Sequence, residues 1–281
     1  MELLHTIREL GDWRKQAQGE SIGLVPTMGN LHAGHRALAA AAVRACDLGV
    51  ASIFVNPLQF GPQEDLASYP RTLQDDLQAL EAQGMAAVFV PGVAEMYPDG
   101  GHSLTTIHVE RLGDILCGRQ RPGHFAGVAT VVAKLFNLVR PDSAFFGEKD
   151  YQQLVVIRRM VRDLCMSVEV IGVPTVREAD GLALSSRNQY LSATERRIAP
   201  RMAAALQACG ERLAQGERDF AALEQAGLQQ LQQAGFAAEY FAIRSAALTL
   251  PDEHTRAVRV LAAGRLGRAR LIDNLGLMLP A

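Results

Sequence analysis

The chain has 281 residues, of which 48% are hydrophobic and 21% are charged, as is typical of one large or two ordinary globular domains. Its formal net charge of -2 gives no electrostatic reason to expect nucleic acid or an anionic membrane surface as a partner. No apolar run approaches membrane-spanning length, and the first residues lack the basic start and hydrophobic core of a signal peptide, so we expect no membrane partner.

The cysteines indicate a reducing compartment. Cys46, Cys117, Cys165 and Cys209 are scattered along the chain, without any C-x-x-C pair. Such a distribution favours reduced thiols over a disulfide framework or a structural zinc site. We therefore expect a cytoplasmic protein.

The first part of the chain alternates predicted helices and strands. The capping-box sequence from Thr6 to Glu9 starts an amphipathic helix that runs to about Gln16. Apolar strands are predicted at residues 21–26, 50–55, 86–90, 143–146 and 168–173. Helices are predicted between them at residues 34–48, 72–83, 125–139 and 151–164, whereas residues 98–125 look irregular. This alternation predicts an α/β fold with a doubly wound parallel sheet and right-handed crossovers.

The pattern changes after about Pro174. The sequence from Ser192 to Glu195 caps a long helix rich in Ala and Arg that runs to about Gln215, and a second helix spans residues 220–234. Three strand patterns follow, at residues 239–245, 257–262 and 268–273. Helices followed by consecutive strands predict a smaller α+β domain with an antiparallel sheet. We therefore expect two domains, residues 1–174 and residues 175–281.

The most informative segment is the strand-to-helix turn at residues 25–35, which reads Val-Pro-Thr-Met-Gly-Asn-Leu-His-Ala-Gly-His. Such a turn points backbone N–H groups and the positive end of a helix dipole at one place, which suits an anion. Gly29 and Gly34 would allow phosphates to approach the backbone, and His32 and His35 can face the same place. The alternatives are an ordinary turn with isolated histidines or a zinc site, although no third zinc ligand is near.

A second candidate turn lies at residues 147–150, between a predicted strand and a helix start. Lys149 would offer a point charge to phosphate, and Asp150 an acceptor to ribose hydroxyls. Lysine is rare here, since only three of the 28 basic residues are lysines. The alternative, an ordinary helix start with solvated charges, stays open.

Four further groups of polar residues are weaker candidates. Residues 184–188 (Leu-Ser-Ser-Arg-Asn) could clamp phosphate on a mobile loop, or form a Ser-rich linker. Asn56 and Gln59 follow a strand, where amides could bind a carboxylate or simply form a turn. The basic loop with Arg119, Arg121 and His124 could line an anionic site, although such loops are by default solvated. Asp75 and Asp76 open a helix, where acids suit the dipole by default, and metal binding is the alternative. No G-x-x-x-x-G-K-[ST] or G-x-G-x-x-G sequence occurs, which disfavours P-loop chemistry and nicotinamide binding.

Five stretches occur together and in order, and in combination they are highly specific. They are residues 26–35, residues 54–60 (Phe-Val-Asn-Pro-Leu-Gln-Phe), residues 121–125 (Arg-Pro-Gly-His-Phe), residues 146–150 (Phe-Gly-Glu-Lys-Asp) and residues 184–188. On these stretches the chain resembles the pantoate–β-alanine ligase (pantothenate synthetase) family, from the first strand to residues 270–274. His-x-Gly-His alone would indicate only a Rossmann fold of the nucleotidyltransferase type.

The resemblance implies a Rossmann-type domain that binds ATP and pantoate, followed by a smaller α+β lid domain, in a cytoplasmic homodimer. The family condenses (R)-pantoate with β-alanine in the biosynthesis of pantothenate and coenzyme A. It uses ATP and Mg²⁺, passes through a pantoyl adenylate, and releases AMP and diphosphate. Small molecules would thus be the only other partners.

The resemblance also assigns roles to individual residues. ATP would contact Met28, Gly29, Asn30, Leu31, His32, Ala33, Gly34, His35, Gly147, Glu148, Lys149, Asp150, Val176, Leu184, Ser185, Ser186 and Arg187. Pantoate would be held by Gln59 and Gln153. His35 matches the family's catalytic histidine, and His32, Lys149 and Arg187 would also act on the phosphates. The sequence does not identify the metal ligands.

The implied chemistry agrees with these residue types. A carboxylate with a pKa of about 4 is already ionised at neutral pH, so adenylation needs alignment and charge neutralisation rather than a general base. For the second step, His35 or a water molecule could accept the proton of the β-alanine amine. Two alternatives remain: a nucleotidyltransferase with a phosphomonoester acceptor, and a non-catalytic nucleotide-binding module.

Overall fold

The computed structural model describes residues 1–62, 64, 66–100 and 105–280. These residues form two compact units. The first comprises Met1–Glu148 and Gln152–Pro174, and the second comprises Lys149–Tyr151 and Thr175–Ala281. Part of the segment that the sequence predicts to be irregular, residues 101–104, lies outside the described residues.

The first unit is built on a six-stranded sheet whose strands are all parallel, as predicted. The strands are β1 (Glu2–Leu4), β2 (Ile22–Thr27), β3 (Leu48–Ile53), β4 (Ala87–Phe89), β5 (Ser143–Gly147) and β6 (Glu169–Val173). Their order is β1-β4-β3-β2-β5-β6. The direction of winding reverses between β2 and β5, and ligands of such sheets bind at the carboxyl ends of the strands beside this reversal. The short edge strand β1 was not predicted.

Seven helices accompany this sheet in the described part of the chain. They are α1 (Ile7–Gln16), α2 (Ala33–Ala45), α3 (Leu73–Ala82), α4 (Val93–Met96), α5 (Cys117–Gln120), α6 (His124–Val139) and α7 (Tyr151–Asp163). The predicted capping box of α1 is confirmed, because the Thr6 hydroxyl accepts from the Glu9 N–H at 3.1 Å and the Glu9 carboxylate accepts from the Thr6 N–H at 3.0 Å. The short helices α4 and α5 were not predicted.

Helix α2 packs on the strands that carry the candidate site. Its buried side chains Leu38, Ala39 and Ala42 share a core cluster with Val25 of β2 and Phe145 of β5. Alanine at two of these positions lets the helix approach the sheet closely. The strand-to-helix turn between β2 and α2 is therefore attached at both ends to rigid, buried elements.

The predicted C-terminal end of α2, at residue 48, was wrong. The helix ends at Ala45, and Leu48 already begins β3. The Asp47 carboxylate accepts from the N–H and the hydroxyl of Ser21, at 2.9 and 2.6 Å, and the Leu48 N–H donates to the Ser21 carbonyl at 3.0 Å. These bonds draw the chain towards the start of β2, so the helix cannot continue.

The second unit contains helices on an antiparallel sheet, as predicted. Its elements are α8 (Ala193–Ile198), α9 (Arg201–Ala214), α10 (Phe220–Gln233), β7 (Ala237–Ser245), β8 (Ala257–Leu266) and β9 (Ala269–Met278). The sheet order is β7-β8-β9 with antiparallel pairing throughout. Buried side chains of α9, α10 and all three strands form its core, including Leu206, Leu231, Phe241 and Val260.

The single long helix predicted after Ser192 is in fact two helices. Its start is confirmed by a capping box in which the Ser192 hydroxyl and the Glu195 carboxylate accept from each other's backbone N–H groups. However, α8 ends at Ile198, and α9 begins after Pro200. Proline has no N–H to donate to the carbonyl four residues earlier, and its ring clashes with that carbonyl. The helix therefore breaks at this position.

Two observations bear on the environment of the protein. None of the four cysteines, all of which lie in the described ranges, forms a disulfide bond. Across those same ranges, the structure contains no helix that combines the length and the apolar character needed to cross a bilayer.

Substitution of two helical glycines by alanine should change the free energy of unfolding in opposite directions. A Cβ on Gly227 of α10 would lie 2.5 Å from the Phe241 ring, whereas one on Gly11 of α1 would meet nothing within 4 Å. Overpacking costs about 1–3 kcal/mol, which exceeds the ~1 kcal/mol that alanine contributes in a helix. We expect Gly227→Ala to lower the free energy of unfolding and Gly11→Ala to raise it by about 0.5–1 kcal/mol. Urea denaturation measures both, and stabilisation by Gly227→Ala would contradict the packing.

Candidate active site

The turn between β2 and α2 is held by a buried carboxylate. Asp76 of α3 is 2% exposed, and it accepts from the backbone N–H of Asn30 at 2.9 Å and of Leu31 at 2.7 Å. The Thr72 hydroxyl donates to the same carboxylate at 3.2 Å. These two N–H groups therefore serve to hold the turn, and they are not directed at a ligand as the sequence suggested.

The two glycines of the turn make room for protein side chains. Gly29 has a φ of 81°, and a Cβ there would lie 3.0 Å from the Asp76 carboxylate. A Cβ on Gly34 would lie 2.8 Å from Cε1 of His32. The sequence suggested that both glycines open the backbone to phosphate. In the structure, each glycine allows the close approach of a side chain that shapes the turn, and their contact with phosphate stays a prediction.

The two histidines are oriented by the backbone at the start of α2. Nδ1 of His32 accepts from the Gly34 N–H at 3.1 Å, and Nδ1 of His35 accepts from the His32 N–H at 3.3 Å. The two ring planes are tilted by 36° to each other, with their centroids 4.1 Å apart. Because Nδ1 of each ring accepts, a neutral imidazole carries its proton on Nε2. Each histidine is thus set to donate from Nε2.

Asn56 connects the loop after β3 to this turn. Asn56 is 1% exposed, and its amide donates to the Gln59 side-chain oxygen at 3.0 Å and to the Gly127 carbonyl at 3.1 Å. Its oxygen accepts from the buried Tyr97 hydroxyl at 2.8 Å. The Gln59 amide in turn donates to Sδ of Met28 at 3.0 Å. The structure therefore brings Gln59, a predicted substrate residue, against Met28, a predicted nucleotide residue.

The Tyr97 hydroxyl is the donor in its hydrogen bond to Asn56. Burial raises the pKa of its hydroxyl to about 12, so the group keeps its proton at neutral pH. The ammonium of Lys134, which donates to the Met96 carbonyl, lies 5.6 Å from the centre of the Tyr97 ring. The sequence did not point to either residue.

The basic loop at Arg121 is a structural clamp and not a solvated patch. Arg121 binds the Glu64 carboxylate through two N–H groups, each at 2.6 Å, and donates to the Gln59 carbonyl at 3.3 Å. It also donates to Nε2 of His124 at 2.9 Å, so the proton of a neutral His124 lies on Nδ1, which donates to the same carbonyl at 2.8 Å. Both groups hold the backbone of Gln59, whereas Arg119 is exposed.

Helix α6 touches the short 3-10 turn Pro57–Gln59 at a glycine. A Cβ on Gly127 would lie 2.3 Å from the Leu58 carbonyl oxygen and 2.7 Å from the Gln59 nitrogen. No side chain larger than hydrogen fits here without moving the backbone of Gln59. The other predicted pantoate residue, Gln153, is half-buried on α7. Within the described residues, no hydrogen bond joins Gln153 to Gln59.

The second unit contains the turn with Lys149. The Lys149 ammonium lies 3.6 Å from the Asp150 carboxylate, and its side chain is 18% exposed. The Asn274 amide, from β9, donates to the Lys149 carbonyl at 2.9 Å. The 3-10 turn Glu148–Asp150 directly follows β5, whose last residue is Gly147. The turn is therefore anchored through its backbone, while its cation and anion stay paired.

Val176 and residues 184–187, also predicted to bind the nucleotide, lie on a hairpin and on the 3-10 turn that follows it. The Leu184 N–H donates to the Val176 carbonyl at 3.0 Å, and an isolated β-bridge joins Arg177 to Ala183. The Ser185 hydroxyl then accepts from the Arg187 N–H at 3.2 Å and begins the 3-10 turn Ser186–Tyr190. Residues eight positions apart in the sequence are thus brought side by side.

Asp76 is the residue that the sequence interpretation most clearly missed, since it was assigned to the helix dipole. A signal was available, because Asp76 lies four residues before Leu80 and therefore on the same, buried face of α3. The part of the chain that the structure describes contains no group of three or more His, Cys, Asp or Glu side chains placed to hold a metal ion.

The clamp at Arg121 predicts a pH-dependent contribution to stability. Burial raises the pKa of Glu64, but the hydrogen bonds and charge of Arg121 outweigh it and hold the pKa below the usual 4.5. A depressed folded-state pKa stabilises the protein above the unfolded-state value, and this contribution is lost as the pH falls through the folded-state value. We expect Glu64→Gln to lower the free energy of unfolding at pH 7, and this difference to shrink below about pH 4.5. A difference that does not change between pH 7 and pH 3 would contradict the ion pair.

Comparisons with known proteins identify the family of this chain. The family model described as pantoate-beta-alanine ligase matches residues 2–276. The pantothenate synthetase of Pseudomonas savastanoi pv. phaseolicola is 52% identical over 280 residues, covering 99% of this chain and 99% of that protein.

Two solved structures are similar along nearly the whole chain. The pantothenate synthetase of Thermus thermophilus has a TM-score of 0.91 at 51% identity, covering 98% of this chain and 99% of that one. The pantoate-beta-alanine ligase of Francisella tularensis, described in complex with β,γ ATP and β-alanine, has a TM-score of 0.82 at 34% identity, covering 98% and 97%. With a family model that spans residues 2–276, this chain belongs to the pantoate–β-alanine ligase family.

Proposed function

We propose that this enzyme condenses (R)-pantoate with β-alanine in two steps. In the first, an oxygen of the pantoate carboxylate attacks the α-phosphorus of ATP, the bond to the β-phosphate oxygen breaks, and diphosphate leaves. In the second, the β-alanine amine attacks the acyl carbon of the pantoyl adenylate, AMP leaves, and pantothenate forms. The Francisella relative described with β,γ ATP and β-alanine supports these two molecules as substrates.

The main structural support for the proposed first step is one hydrogen bond. The Gln59 amide donates to the Met28 thioether at 3.0 Å, so an amide suited to a substrate oxygen lies beside the histidine turn. A thioether is a weak hydrogen-bond acceptor, and a carboxylate or hydroxyl oxygen of pantoate would be a better one. The Asn56 amide and the Arg121 clamp hold Gln59 on the other side. Pantoate bound by Gln59 would therefore lie next to the nucleotide turn.

The histidines supply the charge stabilisation that adenylation needs. The incoming carboxylate is already ionised at neutral pH, so the step requires no general base. It requires donors at the phosphate oxygens, on which negative charge is present throughout the transfer. His32 and His35 are both oriented through Nδ1, which directs Nε2–H of each ring as a donor. In this role His35 is catalytic, and His32 supports it.

The second unit would contribute further phosphate and nucleotide contacts. Lys149 and Arg187 supply cations, and the hydroxyls of Ser185 and Ser186 add hydrogen bonds to the departing diphosphate. Asp150, together with the backbone of Gly147 from the first unit, would bind the ribose, and the backbone of Val176 would bind the adenine. The unit acts as a lid in this scheme, which rests on the family resemblance.

Mg²⁺ belongs to the proposal as part of the substrate, MgATP. Magnesium in nucleotide sites is commonly held by substrate phosphates together with one or two carboxylates. No cluster of three acidic or imidazole side chains occurs among the described residues, so these residues offer no all-protein cage. We therefore assign the ion to the ATP phosphates, and the identity of any protein carboxylate that binds it stays open.

The resemblance further supports a homodimer in the cytoplasm. The four cysteines, none of which is in a disulfide, are compatible with a reducing compartment. For the second chemical step, the β-alanine amine must lose its proton before it attacks. His35 and a water molecule remain the two candidates for the proton acceptor.

The decisive experiment is ATP–diphosphate exchange with (R)-pantoate present and β-alanine absent. Exchange that depends on pantoate is the expected result, because only a reversible adenylation returns labelled diphosphate to ATP. Exchange that needs a phosphorylated acceptor would instead support a nucleotidyltransferase. Binding of ATP without exchange for any acceptor would indicate a binding module.

Replacement of His35 should slow adenylation specifically. We expect His35→Ala to reduce the single-turnover rate of adenylate formation on the order of 10²–10³-fold, the usual effect of losing one transition-state donor. His254→Ala is the matched control, since His254 is 85% exposed in the loop between β7 and β8. A normal single-turnover rate in His35→Ala would remove His35 from the mechanism.

Replacement of Gln59 should affect pantoate more than ATP. In Gln59→Ala we expect the KM for pantoate to rise roughly 10-fold, as expected for loss of a substrate hydrogen bond worth about 1.4 kcal/mol, with little change in the KM for ATP. Gln230→Ala, an exposed position on α10, serves as the control. If the KM for pantoate stayed normal in Gln59→Ala, the pantoate site would lie elsewhere.

A further inference from the structure

A buried asparagine on β9 fixes the backbone of Lys149. Asn274 is 4% exposed, and its Nδ2 donates to the Lys149 carbonyl at 2.9 Å. Its Oδ1 accepts from Nη1 of Arg259 at 2.9 Å. A guanidinium can only donate, so Oδ1 must face Arg259 and Nδ2 must face Lys149. The orientation of the amide is therefore determined by its two partners.

Arg259 is itself held on both sides. Its guanidinium carbon lies 3.7 Å from the centre of the Tyr151 ring, in stacking contact. On the sheet side, a Cβ on Gly276 would lie only 2.9 Å from that carbon. The Tyr151 hydroxyl donates to the Ala246 carbonyl at 2.9 Å, which fixes the ring. Arg259 thus occupies a slot that fits its planar group.

The backbone of Asn274 is anchored by an ion pair. The Asp273 carboxylate accepts from the Asn274 N–H at 2.7 Å and binds Arg177 through two bonds of 2.6 and 2.8 Å. The hydrogen bonds and charge of Asp273 raise the pKa of Arg177, so this guanidinium stays charged at neutral pH. Arg177 also donates to the Gly181 carbonyl at 2.9 Å, within the hairpin that carries Val176 and Leu184. The middle of β9 therefore joins the Lys149 turn to this hairpin.

We propose that Asn274 is a positioning residue for Lys149, with Arg259 setting the direction of its amide. The proposal rests on the proposed function, in which Lys149 contacts the phosphates of ATP. Lys149 has a flexible side chain, so the place of its ammonium depends on where its backbone is held. A displacement of about 1 Å at a reacting group can cost on the order of 100-fold in rate. A hydrogen bond that fixes this backbone would thus act on catalysis without touching substrate.

The test is Asn274→Asp, which keeps the shape of the side chain and the acceptor for Arg259. It replaces the donor to Lys149 with a second acceptor oxygen, which repels the carbonyl. We expect kcat/KM for ATP in pantoate-dependent diphosphate exchange to fall roughly 10- to 100-fold. The KM for pantoate should stay within about twofold, since Gln59 and Gln153 belong to the other unit.

A double-mutant cycle shows whether the effect passes through Lys149. In a Lys149→Ala background the ammonium is gone, so Asn274→Asp should cause little further loss. An equal loss in both backgrounds would overturn the proposal. Gly276→Ala, which would displace the Arg259 guanidinium, should give the same kinetic pattern as Asn274→Asp. A normal kcat/KM for ATP in both Asn274→Asp and Gly276→Ala would also overturn the proposal.

Glu239→Gln is the matched control. Glu239, on β7, binds Arg270 of β9 at 2.7 Å. The variant therefore loses an ion pair of the same sheet that has no link to Lys149. Its kinetics should be normal, and a fall in kcat/KM for ATP equal to that of Asn274→Asp would show a general effect of the sheet. Lys149→Ala separates the two proposals. If Lys149→Ala has a normal rate of diphosphate exchange, the role of Lys149 in the proposed function is wrong. If exchange is impaired in Lys149→Ala but normal in Asn274→Asp, only the role of Asn274 is rejected.

Discussion

The first unit depends on one buried carboxylate, that of Asp76. A carboxylate in the protein interior is costly unless its oxygens accept hydrogen bonds, and here they accept from two backbone N–H groups and a hydroxyl. The turn after β2 is therefore held in one conformation, including a left-handed Gly29. The two histidines at the start of α2 take their orientation from this turn, so the donors of the site are placed before any ligand binds.

The proposed pantoate site in the same unit is also held by distant residues. Gln59 lies on a short 3-10 turn that has little structure of its own, and it is fixed by contacts from elsewhere in the chain. Asn56 binds its side chain, while Arg121 and His124 bind its carbonyl. Such preorganisation reduces the entropy lost when a substrate binds. Glu64 in turn holds the Arg121 guanidinium through two hydrogen bonds.

In the second unit, the sheet and not the helices holds the proposed phosphate contacts. Asp273 and Asn274 are adjacent on β9, and successive side chains of a strand point to opposite faces. One reaches Arg177 of the hairpin and the other reaches the carbonyl of Lys149. Two loops distant in the sequence therefore take their positions from one rigid strand.

The sequence by itself determined the class of fold, because the periodicity of apolar residues and the glycine and proline positions are local properties. It also determined the family, through five short stretches in order, and it placed Gln59 and the histidine turn among the candidate residues. Errors arose where a distant partner overrides a local preference, as when Ser21 and Asp47 end α2 early. Only the tertiary structure decided what the glycines make room for, that Arg121 is paired, and that Asp76 and Asn274 hold the two turns. The hydrogen bond from Asn30 to Asp76 spans 46 positions, and the bond from Asn274 to Lys149 spans 125 positions. Contacts over such distances leave no periodic pattern in a sequence, so only the tertiary structure could reveal them.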